Sequence, residues 1–196
     1  MAHALELGRP PMTLTFSGSR AAPAAANAEL AATIRAVAAG DQAAFARLYA
    51  AYVRMVHAIL LGRVPRRDVD DLVQEVFVTA YTRISELRDA AAFGGWLATI
   101  ARNRATDYIR QTREAVALPA ELPGGDAIEL ETLAVLDVVR KLPDAYRETL
   151  LMRLVEGMTG DEIATRTGLT PGSVRVNLHR GMKMLREQLG VEVTRP

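Results

Sequence analysis

Apolar residues recur at steps of three and four along most of the chain after Asp41, and this 3.6-residue period is the strongest constraint on the fold. Phe45, Leu48, Tyr49, Tyr52, Val56, Ile59 and Leu60 fall on one face of a helix whose start is punctuated by Gly40-Asp41. Gly62 to Pro65 ends that helix, and Asp68 is placed to cap the next. The second stripe is Val69, Leu72, Val73, Val76, Phe77, Ala80, Tyr81, Ile84 and Leu87. After a break at Arg88-Asp89, a third runs through Phe93, Trp96, Leu97, Ile100, Ala101, Ala105 and Tyr108. Three helices with matching apolar faces predict one compact bundle.

A second helical unit follows a change in composition. Residues 113–128 contain Pro119, Pro123, Gly124 and Gly125 and read as a flexible acidic linker. Leu142-Pro143-Asp144 then opens a helix with proline at its first position, carrying Leu150, Leu151 and Leu154 and closed by Gly157. Thr159 can cap a short helix through Ile163 and Ala164, Gly168-Leu169 makes a tight turn, and Thr170-Pro171 opens a longer helix with Val174, Leu178, Leu185 and Leu189 inward. That succession predicts a helix-turn-helix. Residues 1–28, with Pro10, Pro11, Pro23 and an alanine run, read as a flexible N-terminal tail, and residues 191–196 as a C-terminal tail. The expected fold is therefore all-α: an N-terminal helical bundle over 29–112 and a C-terminal helix-turn-helix domain over 129–190.

Composition narrows the function. Of the 196 residues 49% are apolar and only 5% aromatic, enough for a core in each domain and biased towards helices. There is no cysteine, so disulfides and thiolate metal sites are excluded, and His3, His57 and His179 show no metal-ligand spacing. No apolar run reaches the ~18 residues that span a bilayer, and the N-terminus lacks the order of a signal peptide; a cytoplasmic protein without membrane insertion is expected. Neither a P-loop, a nucleophile elbow nor a metal motif is present, so the expectation is a protein that is not an enzyme and uses no cofactor. The formal net charge of +1 hides an uneven distribution: four arginines in 102–113, six acids and no base in 114–137, and six Lys or Arg against two acids in 166–196.

Three constellations carry possible chemistry. On the second helix of the helix-turn-helix, Ser173, Arg175, Val176, Asn177, His179, Arg180 and Lys183 point outward. A recognition helix places such residues in the major groove, where arginine bridges the two acceptors of guanine and asparagine the edge of adenine. On the third helix, Arg102, Asn103, Thr106, Asp107 and Arg110 form a polar stripe beside the Arg88–Gly95 loop, as in a groove for a nucleic-acid strand. Phe93 and Trp96 fit the apolar stripe and are assigned to packing rather than base stacking. Asp70, Asp71, Gln74 and Glu75 gather at the start of the second helix and suit a charged protein-docking face. Residue patterns alone also allow each of the three to be a solvated surface.

Several segments together resemble the extracytoplasmic-function class of bacterial sigma factors. They are Phe45-Ala46-Arg47-Leu48-Tyr49, Asp71-Leu72-Val73-Gln74-Glu75-Val76-Phe77, Phe93-Gly94-Gly95-Trp96-Leu97-Ala98-Thr99-Ile100-Ala101-Arg102-Asn103 and Asp107-Tyr108-Ile109-Arg110. Leu142-Pro143, Asp161-Glu162-Ile163-Ala164, Gly168-Leu169 and Gly172-Ser173-Val174-Arg175 to Leu178-His179-Arg180 follow in order. The resemblance implies sigma region 2 over 29–112 and sigma region 4 over 129–190. It implies that Asp71, Gln74 and Glu75 dock on the clamp helices of the largest subunit of core RNA polymerase, with region 4 meeting the flap. It further implies that Arg88, Arg102, Asn103, Asp107 and Arg110 read and melt the minus-ten element, and that Ser173, Arg175, Val176, Asn177, Arg180 and Lys183 read the minus-thirty-five duplex of promoter DNA. The free protein would be a monomer, and an anti-sigma factor holding it inactive would cover the same docking surfaces.

The chain departs from the usual pattern at Val176-Asn177 and at Gly181-Met182, where relatives commonly carry cations expected to contact phosphate, which predicts an altered promoter preference and weaker duplex binding. Gly160 replaces a bulkier residue near the start of the first helix of the motif, which predicts a slightly looser helix. The rival readings are a dimeric helix-turn-helix regulator with the first bundle as effector domain, and a helical metalloenzyme using Asp70, Asp71 and Glu75.

Overall fold

A computed structural model describes residues 21–115 and 127–190, and they form eight α-helices. The linker read from 113–128 and the terminal tails lie largely outside the described residues. The first module contains α1 (Ala21–Ala38), α2 (Gln42–Leu61), α3 (Val69–Arg83) and α4 (Phe93–Ala115), with short 3-10 turns at Arg66–Asp68, Ile84–Glu86 and Ala90–Ala92. The second contains α5 (Ala127–Arg140), α6 (Asp144–Leu154), α7 (Gly160–Thr167) and α8 (Pro171–Leu189).

Helix α1 starts within the segment expected to be a tail. Alanine has the highest helix propensity, and Pro23 sits in the first turn, where its missing N–H would have no intrahelical acceptor anyway. Ile34 and Val37 then bury themselves against the bundle and anchor the helix. The first module thus has four helices where periodicity predicted three.

The other boundaries follow local chemistry. Asp41 accepts from the Ala44 amide at 3.0 Å and caps α2, after Gly40 turns the chain at a φ of 91°. Asp68 precedes α3 but makes no cap: its carboxylate accepts the Tyr108 hydroxyl at 2.7 Å and so ties the start of α3 to α4. In the helix-turn-helix, Thr159 and Glu162 form a capping box, Gly168 takes the left-handed conformation at a φ of 75°, and Thr170 caps α8 with Pro171 in its first turn. Gly160 has open space around it.

The core of the first module is built from α2, α3 and α4. Met55, Val56 and Ile59 are fully enclosed, as are Val69, Val76, Leu97 and Ala101. Rings interlock along it, with Phe45 and Tyr81 at 4.9 Å, Tyr49 and Phe77 at 4.5 Å, and Tyr52 edge-on to Phe93 at 4.9 Å. Phe93 is buried and Trp96 half-buried, with ring centroids 5.9 Å apart, consistent with packing. Helix α2, apolar and long enough by composition to cross a bilayer, directs that surface into this core.

In the second module, Leu150, Met152, Met158, Ile163, Val174 and Leu185 are buried, each worth ~1.5–3 kcal/mol of transfer free energy. Leu189, expected inward, is 39% exposed, and Leu154 is 54% exposed. Both stand at the last residue of their helices.

The two modules pack against each other rather than standing apart on a tether. Helix α6 lies on the C-terminal end of α2, and α7 lies on α2 and the start of α4. Leu151 and Arg147 close so tightly on Gly62 that an added Cβ would come within 3.0 Å of Leu151 and 3.1 Å of Arg147. The cores form one continuous hydrophobic cluster.

Candidate nucleic-acid and protein-docking interfaces

The recognition helix α8 presents the expected residues. Arg175, Arg180 and Val176 are exposed, the last at 45%, and Asn177 is half-buried. Ser173 is drawn into the cap, its amide donating to Thr170 Oγ1 at 3.1 Å and its hydroxyl 2.9 Å from the same atom. Lys183 lies 3.8 Å from Glu187 in an exposed pair that solvent largely screens. Gly181 faces inward: it is buried against α6, where a Cβ would sit 3.0 Å from Leu150 and 3.2 Å from the Tyr146 Cβ. The small residue of the Gly181-Met182 pair therefore serves packing, while Met182, where relatives commonly carry a cation, is half-buried beside it.

The α4 stripe divides. Asn103 and Arg110 are exposed, Arg110 reaching Asp107 at 3.2 Å within the helix. Thr106 donates back to the Arg102 carbonyl at 2.9 Å. Arg88 is exposed between two 3-10 turns, next to Asp89, whose carboxylate accepts the Ala91 amide at 2.9 Å. Arg102 is held by the other module. Its Nε donates to Glu148 Oε1 at 2.9 Å and its Nη2 to Oε2 at 2.7 Å, a two-pronged pair that stabilises the charged guanidinium.

On α3, Asp71, Gln74 and Glu75 line a shallow surface depression together with Val78 and Thr79. Val78 is 63% exposed, so the face joins charge to an apolar contact, as protein interfaces do. Glu75 also accepts from Arg104 of α4, linking this face to the helix that carries the polar stripe.

The largest group of functional side chains missed by sequence reading lies between the modules. Arg63, at the end of α2, reaches Glu148 at 2.8 Å and Asp144 at 2.5 Å. Arg140 donates to the carbonyls of Leu61 and Val64 at 3.2 and 2.8 Å, occupying acceptors left free where α2 ends. Arg54 bonds Glu162 at 3.0 Å and the Glu156 carbonyl at 3.1 Å, and His57 Nδ1 lies 2.6 Å from Glu156. Arg166 stacks over Tyr52 at 4.9 Å. The Glu156 hydrogen bond raises the His57 pKa against the opposing effect of burial. Burial, then the neighbouring Arg63, lowers that of Arg147, which stays charged at neutral pH and whose buried Nε has no partner among the described residues. The visible signal was Arg54 and His57 one turn apart on a mostly apolar helix, but nothing in the sequence names partners about a hundred positions away.

The comparisons with known proteins agree with both modules. Residues 48–115 match the family model described as Sigma-70 region 2, and residues 132–185 that described as Sigma-70, region 4. The chain is 32% identical to the RNA polymerase sigma factor CarQ of Myxococcus xanthus over 77% of its own length and 92% of the relative's. It is 29% identical to the ECF RNA polymerase sigma factor SigW of Bacillus subtilis (strain 168), over 80% and 94%. A third relative, a probable RNA polymerase sigma factor RfaY of Xanthomonas campestris pv. campestris, is 34% identical over 78% of this chain, which spans 42% of that longer protein. Among solved structures, CnrH in complex with the cytosolic domain of CnrY aligns at a TM-score of 0.55 and 27% identity, over 82% of this chain and 97% of that one.

Proposed function

The chain belongs to the sigma-70 family of RNA polymerase sigma factors, in its extracytoplasmic-function class, and on that premise we propose a division of labour among its three surfaces. As an alternative sigma factor it directs promoter-specific transcription initiation. In our reading region 2 spans 29–112 and region 4 spans 129–190. The α3 face of Asp71, Gln74 and Glu75 docks on the clamp helices of core polymerase. Arg88, Arg102, Asn103, Asp107 and Arg110 hold the minus-ten strand, and Ser173, Arg175, Val176, Asn177, Arg180 and Lys183 read the minus-thirty-five duplex.

One observation carries this reading: a single chain presents a docking face and two polar DNA-type faces on three different helices, α3, α4 and α8. Each DNA face alone can bind weakly, because polymerase fixes the distance between them and the second contact forms at high effective concentration. Strand opening follows from capture of an extruded base, which offsets a few kcal/mol of unstacking. The chain's contribution is binding and positioning, with bond chemistry left to the polymerase, and its working place is the cytoplasm. CnrH is solved with a protein partner, and a partner of that kind for this chain would compete for the same surfaces.

Transcription in vitro with purified core polymerase and a library of genomic fragments tests the proposal. Start sites sharing one pair of promoter elements are expected, and no initiation from any fragment would overturn it.

A further inference from the structure

Two guanidiniums of the first module, one just past the end of α2 and one on α4, converge on one carboxylate of the second. Arg63 Nη1 and Arg102 Nε meet the same oxygen of Glu148, at 2.8 and 2.9 Å, while Arg102 Nη2 takes the other oxygen at 2.7 Å. Among the described residues, the carboxylates that pair with either arginine are Asp144 and Glu148, both on α6. The first module therefore carries two arginines side by side whose neutralising charge comes wholly from the second. Arg63 also donates from Nη1 to the Ile59 carbonyl of the preceding helix α2 at 3.4 Å, so its position does not depend on α6 alone.

The geometry points to Arg63 and Arg102 as one phosphate-binding site for the promoter strand, which Glu148 fills when the two modules are closed. The inference rests on the reading of the α4 stripe as a strand site and adds a residue to it. Two acceptor oxygens facing two guanidinium forks are what a carboxylate and a phosphodiester have in common. The Nε–Nη2 edge of Arg102 cannot grip both at once, so two-pronged strand binding and closure exclude each other. The closed arrangement also requires Gly94. A Cβ there would lie 1.9 Å from the Arg166 carbonyl oxygen of α7, a backbone atom that cannot yield without moving the module. Gly94 has no positive φ, so alanine suits its own helix better than glycine does. Gly94→Ala should thus separate the modules without harming the first one.

The test uses the full chain, with dyes on the two modules reporting their separation and a short oligothymidylate as probe, titrated at several salt concentrations. Gly94→Ala and, independently, Glu148→Gln should lengthen the inter-dye distance and tighten oligothymidylate binding by about tenfold, as the competent fraction rises. In the Gly94→Ala background, Arg63→Ala should lower the slope of log affinity against log salt by about 0.7, the effect of one phosphate contact on a single strand. An unchanged slope for Arg63→Ala, with the expected drop for Arg102→Ala, would overturn this inference and leave the stripe reading standing. Unchanged slopes for both would remove the stripe reading itself. An unaltered inter-dye distance in both opened variants would show that Glu148 does not govern access.

Discussion

Helices α4 and α8 carry similar faces, arginines interleaved with an asparagine, yet the structure treats them differently. On α8, Arg175 and Arg180 are exposed, and the residues around them serve the cap and the packing against α6. On α4, Arg102 is clamped by Glu148, and the start of the helix lies under α7. The face proposed to read duplex is open in the closed protein, whereas the face proposed to hold the strand has Arg102 engaged by the protein's own second module. Two similar stripes therefore differ in access because only one of them meets a carboxylate of the neighbouring module.

The contrast can be broken most completely at α3. If polymerase must hold both modules for either face to act, Asp71→Arg combined with Glu75→Lys should abolish binding to core polymerase and silence both promoter elements, with an unchanged circular dichroism spectrum. Normal assembly on core polymerase by that double variant would show that the docking face lies elsewhere.

A smaller effect separates the two faces through the core. Leu150 is buried beneath Gly181, so Leu150→Ala should cost ~2–5 kcal/mol and loosen α8 against α6. Thermal unfolding reads the loss, and duplex binding should suffer more than binding of a premelted template. Equal weakening on both templates would mean that α8 is not seated by that contact.

Smaller again are the base contacts. Arg175→Ala and Asn177→Ala should each reduce discrimination at the minus-thirty-five element by ~1–3 kcal/mol while leaving a premelted minus-ten template nearly untouched. Competition between duplexes that differ at single base pairs measures this, and a loss uniform across sequences would reassign both residues to phosphate contacts.

The smallest effect is on pH. Because Glu156 raises the His57 pKa in the folded protein, the pair's contribution is fully present below the unfolded histidine value of ~6.5 and is lost as pH climbs through the raised folded value. Asp70 at 4.0 Å strengthens the effect and Arg66 opposes it. The closed form should therefore loosen as pH rises through that window, read as inter-dye distance, and His57→Gln should flatten the profile. A profile unchanged in that variant would assign the dependence to other groups.

Much of this was written locally. The capping residues Thr159 and Thr170, the turn at Gly168 and the stripe from Phe93 to Tyr108 act through neighbours a few positions away, so periodicity and punctuation expose them. The errors came where a distant partner intervened. Asp68 stands where a cap for α3 is expected and instead accepts from Tyr108, and nothing in the sequence shows that Gly181 makes room for Leu150. The start of α1 was hidden because an alanine run has propensity without periodicity, and its fate rests on the anchoring of Ile34 and Val37.

By itself the sequence determined the all-helical class, the two modules and the outward placement of Asp71, Glu75, Asn103, Arg175 and Arg180, because helical period and capping fix which side of a helix a residue occupies. Tertiary structure alone decided that Arg63 and Arg102 share Glu148, that Gly94 accommodates Arg166 and that the two cores join. These contacts join residues far apart in the chain, and which of several arginines meets a given carboxylate depends on how whole helices pack, a choice that no local pattern encodes.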